Sequence, residues 1–204
     1  MSLVLLLQGA VIGFSIAAPV GPIGALTIRR TLAQGQAVGL ATGMGAATAD
    51  AIYGAVAGFG LSAVTGVLIA HAGWLHLLGG LFLVYLGAKI FVAQPSASAT
   101  STPARGLASA YGSTFLLTLA NPATILSFIG VFAGLGLAGA PGTYARAAVF
   151  VGGVFAGSAL WWLILSWSVA RLRSRLSPAA LRWVNRGSGL VIAGFGALAL
   201  SAAI

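Results

Sequence analysis

Asp50 is the only acidic residue in this 204-residue chain, and it lies inside the stretch 37–58, which carries no other charge. A carboxylate at bilayer depth costs about 2.5 kcal/mol or more, so it faces a polar cavity and not hydrocarbon. Three kinds of chemistry are open to it there. It can hold an ammonium group, exchange a proton, or form a structural pair with Arg29, Arg30 or Lys89. Desolvation disfavours the charged form of a carboxyl group, which suits proton coupling. Helical spacing places Ala46, Ala47, Tyr53 and Gly54 around Asp50; the small residues leave room for a ligand, and Tyr53 offers a hydroxyl.

A second constellation is Pro19, Gly21 and Pro22. Each proline lacks an N–H and clashes with the preceding turn, and Gly21 between them relaxes the backbone. An apolar helix must kink or unwind here. The polar backbone groups so freed survive at membrane depth only against protein or a water-filled cavity, where their dipoles can hold a carboxylate or an amine. Asn121 and Pro122 repeat the interruption further along, and Asn121 brings a donor and an acceptor beside the break. Ser158 is a polar residue in the apolar segment that follows, with Trp161 or Trp162 placed to wall a cavity next to it. Arg30, directly after the first break, is a candidate substrate contact, although Arg29 and Arg30 also read as anchors at the membrane surface. His71 and His76 have no acid or cysteine nearby, so no metal site is expected.

These residues need elements to position them. The chain is 59% hydrophobic and 5% charged, a composition that leaves too little polar surface for a soluble domain and defines an all-α polytopic membrane protein. Spans of about 20 residues are expected over 4–27, 37–62, 66–92, 108–135, 145–170 and 187–204. The N-terminus has no positive leader region, so the first span is expected to be retained. Glycine pairs such as Gly39/Gly43, Gly54/Gly58, Gly130/Gly134 and Gly153/Gly157 suit close helix packing. A Pro/Ser/Thr/Ala tract over 94–106 reads as a flexible linker between two three-helix units, 1–93 and 107–204. Three spans per unit means that related halves lie in opposite orientations, the inverted-repeat plan of secondary transporters. Matching breaks in corresponding spans then point to a binding site near the bilayer midplane.

The net charge of +9 is distributed between the apolar segments. Arg29, Arg30, Lys89, Arg105, Arg171, Arg173, Arg175, Arg182 and Arg186 fall on one side of the expected spans, and Arg146 on the other. These are topology and lipid-headgroup signals, not a nucleic-acid surface, and they put both termini on the non-cytoplasmic side. With no cysteine there is no thiol relay or disulfide framework. A single Asp, without a Ser/His arrangement, argues against an intramembrane protease, so no enzyme is expected.

The stretch from Pro19 through Gly35, with Pro22, Gly24, Arg29 and Arg30, resembles the N-terminal signature of the LysE/RhtB family of amino-acid exporters. Gly45 to Asp50 resembles that family's second-span aspartate, and Asn121-Pro122 its fourth-span motif. The resemblance implies a secondary exporter of amino acids or close derivatives in a bacterial cytoplasmic (inner) membrane, working by proton antiport, without a cofactor, and assembled as a homodimer. With the residue reading above, Asp50, Pro19, Gly21, Pro22, Asn121, Pro122, Tyr53, Ser158 and Arg30 are expected at the substrate, with Asp50 also carrying the proton. A lone carboxylate serves a dibasic substrate poorly, which favours a neutral or monocationic one. The alternative is an inorganic cation carrier or channel using the same site. A divalent ion, however, wants several oxygen ligands and usually more than one carboxylate.

Overall fold

The computed structural model describes residues 2–19, 21–58, 71–93, 104–121, 124, 128, 144–173 and 176–201. Among them the chain forms seven helices and no strand: α1 (Ser2–Ala17), α2 (Pro22–Gln34), α3 (Gln36–Gly58), α4 (Ala72–Phe91), α5 (Ala104–Leu119), α6 (Tyr144–Arg173) and α7 (Pro178–Ser201).

The single span expected over 4–27 is two helices. The residue before a proline is pushed out of the α region, and α1 accordingly stops at Ala17, two residues before Pro19. Gly21 is extended (φ −101°, ψ −162°) and caps α2, whose first residue is Pro22, a position where proline's missing N–H leaves no bond unmade. The two helix axes are bent by 79°. α2 ends at Gly35, which has φ 97° and donates its N–H to Thr31 O, a left-handed cap that glycine adopts without strain.

Other boundaries also differ from the expected spans. α7 begins nine residues earlier than 187, at Pro178, because the Ser177 hydroxyl accepts the Ala180 N–H at 3.2 Å and caps the helix. α5 starts at Ala104, inside the stretch expected to be linker, whose remainder over 94–103 lies outside the described residues. Among the described residues only α6 is by itself long and apolar enough to cross a membrane, and α1 with α2 meets the same measure as a bent pair. The other expected spans run into residues outside the described set or, like α3, are built of Ala, Gly and Thr, with Asp50 among them.

Helices of the first half pack mainly on helices of the second: α1 on α6, α4 on α7, and α3 on both α5 and α6, while α2 rests on α3, α6 and α7. Glycine makes these approaches close. A Cβ at Gly45 of α3 would strike Tyr111 O and Phe115 N of α5; one at Gly153 of α6 would strike Leu6 O and Ala10 N of α1. Gly80 and Gly87 of α4 meet Gly196 and Gly189 of α7, in that order, so this pair is antiparallel. Of the glycine pairs marked in the sequence, Gly153/Gly157 pack on α1, Gly39 meets Thr31, Gly43 meets Trp162 and Gly54 meets Val154. Gly130/Gly134 lie outside the described residues.

This packing sets a clear expectation. Gly153→Ala should destabilise the fold by about 1–3 kcal/mol, because backbone on α1 must move. Gly152→Ala, where a Cβ meets nothing within 4 Å, should leave stability unchanged or raise it by up to about 1 kcal/mol, the helix-propensity gain of alanine over glycine. Thermal unfolding in detergent distinguishes the two.

Candidate functional site

α3 and α6 cross so that Asp50 faces Ser158. The Ser158 hydroxyl donates to Asp50 Oδ2 at 2.6 Å, and Trp162 Nε1 donates to Ser158 Oγ at 3.1 Å. Serine and tryptophan are one helical turn apart on α6, which lets one side chain orient the other. Asp50 is 3% exposed and Ser158 fully buried. Among the described residues Asp50 Oδ1 has no protein partner. The structural pair with Arg29, Arg30 or Lys89 is not formed, and the carboxyl group is held by one neutral hydroxyl.

Asp50 opens on a cavity of about 180 Å³. Its polar wall includes Asp50, Thr118, Asn121 and Thr124. Its apolar wall includes Ile16, Ile23, Ala46, Trp162 and Phe195, and Pro19, Gly21, Pro22 and Gly24 also line it. Both chain breaks therefore meet at one cavity with the buried acid. The first is positioned by the end of α1 and the start of α2, the second by the turn that follows α5.

Three of the expected site residues lie apart from the cavity wall. Ser158 acts through Asp50. Tyr53, 5% exposed, donates its hydroxyl to Leu119 O at the end of α5, which satisfies a carbonyl that the chain break leaves without a helical donor. Arg30 stands furthest along its helix from the break. It sits two turns along α2, roughly 12 Å from the helix start at 1.5 Å per residue. Its guanidinium donates to Thr42 Oγ1 (3.3 Å), Ala110 O (3.0 Å), Thr114 Oγ1 (2.9 Å) and Ser113 Oγ (2.9 Å). It ties α2 to α3 and α5. Pro122 lies outside the described residues.

Sequence reading missed Thr118, Thr124, Ile16, Ile23 and Phe195. Thr118 and Thr124 stand three residues either side of Asn121, a helical turn away on each flank, and that spacing was the available signal. Phe195 had none, since α7 reaches the cavity only through tertiary packing. Among the described residues no group of His, Cys, Asp and Glu side chains is placed to hold a metal ion.

An all-helical chain with a helix broken by paired prolines, closing a cavity over one buried acid, has the build of a membrane translocator. The family model for the LysE type translocator matches residues 14–203, and the chain belongs to that family, hence to the membrane proteins. It is 28% identical over 191 residues to "Putative amino acid efflux protein YcgF" of Bacillus subtilis (strain 168), an alignment covering 91% of this chain and 90% of that one. No solved structure matches.

Tyr53→Phe removes the donor to Leu119 O without changing the shape of the ring. The expected cost is about 1–3 kcal/mol, the penalty for a buried carbonyl left unsatisfied, read as a lowered unfolding midpoint in detergent.

Proposed function

We propose that the protein is a secondary exporter of amino acids or close derivatives, driven by proton antiport, and that Asp50 binds the proton and the substrate ammonium in alternation. The observation that carries this reading is the meeting of both chain breaks and the lone acid in one cavity. Membership of a translocator family, and the efflux named for the Bacillus subtilis relative, support the direction and the cargo. Asp50 stands past the middle of α3 and Ser158 halfway along α6, which supports a site at mid-depth in the bilayer.

The glycine contacts support the inverted three-helix repeat. Gly45 over Tyr111 and Phe115 matches Gly153 over Leu6 and Ala10, with the same four-residue step on the partner helix. Exchanging the halves turns one contact into the other. The same exchange turns Gly80 against Gly196 into Gly189 against Gly87. Parallel packing of α1 with α6 and of α3 with α5, and antiparallel packing of α4 with α7, is what six alternating spans require. On this plan the substrate is released by rocking one repeat against the other.

The charges support an orientation with both termini outside the cytoplasm, in a bacterial inner membrane. Lys89 lies near Tyr85 at the end of α4, and Arg186 at the start of α7 lies 5.9 Å from the Phe91 ring. The Asn185 side chain donates to Ala93 O at 3.0 Å, so the basic ends of α4 and α7 are neighbours. They would meet anionic lipid headgroups on the cytoplasmic face. A homodimer is part of the same reading. An inorganic cation carrier is disfavoured, because Asp50 is the only carboxylate side chain in the chain.

The test is efflux from proteoliposomes loaded with a mixture of amino acids, with and without an imposed proton gradient. Wild type is expected to lose substrate in a gradient-dependent way, and Asp50→Asn to reduce this by at least about 100-fold, the scale of losing one charged contact of 3 kcal/mol. Equal efflux from both proteins would remove Asp50 from the mechanism, and absence of efflux from folded wild type would reject the exporter.

A further inference from the structure

Helical threonines normally return their hydroxyl to the carbonyl four residues back. Thr31, Thr42, Thr48 and Thr114 do so here, at 2.7 to 2.9 Å. Thr118 does not. It is 2% exposed, its hydroxyl has no hydrogen-bond partner, and it lies on the wall of the Asp50 cavity. Thr27 is likewise unpartnered but stands off that wall. A buried hydroxyl without a partner is costly unless something else supplies one.

The start of α2 faces the same cavity with a matching surplus. The first N–H groups of a helix have no intrahelical acceptor. Pro22 contributes none, and Gly21 supplies no side-chain cap. The N–H groups of Ile23 and Gly24 are therefore donors without a side-chain acceptor, and both residues line the cavity. The partial positive end of the helix adds to them. A cluster of donors with no acceptor is a site for an anion.

We propose that the cavity holds a dedicated α-carboxylate subsite, formed by the Ile23 and Gly24 backbone N–H groups and the Thr118 hydroxyl. It complements the ammonium site at Asp50 and selects α-amino acids with a short uncharged side chain. This rests on the exporter reading and deepens it. The zwitterion's two charges are matched, and no second carboxylate remains for a basic side chain. Ile16, Ile23, Ala46, Trp162 and Phe195 offer the side chain an apolar surface. At about 180 Å³ the cavity is close in size to the roughly 150 Å³ void that takes a benzene molecule, which limits the side chain to a few carbons.

The experiment measures ligand-dependent thermal stabilisation and Kd of the purified full chain in detergent. The probes are L-alanine, L-threonine, L-valine and L-leucine, their carboxamides, and L-lysine. At least one of the four neutral acids should stabilise wild type, while its carboxamide and L-lysine should not. Thr118→Val should weaken binding of that acid roughly 10- to 100-fold, as expected for a lost hydrogen bond to a charged group, and Thr118→Ser should retain it. Unliganded Thr118→Val should unfold at or above the wild-type temperature, since the buried hydroxyl has no protein partner to lose; a merely structural threonine would lower it. If Thr118→Val does not fold, the comparison of acid with carboxamide on wild type decides. Equal binding of acid and carboxamide, unchanged affinity in folded Thr118→Val, or preference for L-lysine would overturn the proposal, as would no binding by any neutral acid. Efflux is measured separately, so binding without transport counts against the exporter and leaves the subsite standing. Export of L-lysine alone does the reverse.

Discussion

The hydrogen bond from Ser158 to Asp50 sets the terms for the rest of the structure. It joins a helix from each half of the chain around the one acidic side chain in the sequence, and among the described residues it does so without a countercharge. An arginine partner would stabilise the ion and fix it. A single hydroxyl, itself held by Trp162, orients the group and among the described residues leaves Oδ1 without a protein partner. Removing a polar group from water is tolerable only where hydrogen bonds replace hydration, so on the exporter reading the second oxygen is the place where a cation or a proton would be accepted. The cavity beside it is the space in which that exchange can occur.

The small residues follow from that arrangement. For Asp50 to reach Ser158, α3 must approach α6 closely, and Gly43 and Gly54 allow this where Trp162 and Val154 face them. For the start of α2 to reach the same point, α1 must sit deep against α6, which Gly9, Gly13, Gly153 and Gly157 permit. Arg30 anchors the other end of α2 to α3 and α5. The broken helix is thus held at both ends, and this packing presents its start to the cavity.

Much of the site was legible because polar residues are conspicuous in an apolar chain. Asp50, the Pro19–Pro22 break and Asn121 each violate the rule for a membrane helix, and the structure gathers all of them. What the sequence hid was what only packing decides. Tyr53 and Arg30 carry polar groups near the site in sequence, yet both are engaged elsewhere, by Leu119 O and by a set of hydroxyls on α3 and α5. Thr118 is inconspicuous for the opposite reason, since a threonine in a helix ordinarily satisfies itself, and only the folded structure shows that this one does not. Helix ends were misplaced where a cap, such as Ser177, outweighed the apolar pattern.

A single carboxyl group also constrains coupling. One Asp can hold a proton or an ammonium but not both at full strength, so the two ligands compete for it, and each weakens the other's binding by the same factor. That competition is the thermodynamic core of an antiporter and needs no second titrating side chain. It places a demand on the remainder of the site. If the ammonium alone were recognised, any small amine would exchange for a proton and the gradient would drain without useful export. Selectivity must then come from the group that the proton does not replace. In this cavity the start of α2 and Thr118, on elements from different halves of the chain, offer donors for such a group. Coupling and selectivity would thus be assigned to separate ends of one small cavity, and a substrate would need to satisfy both.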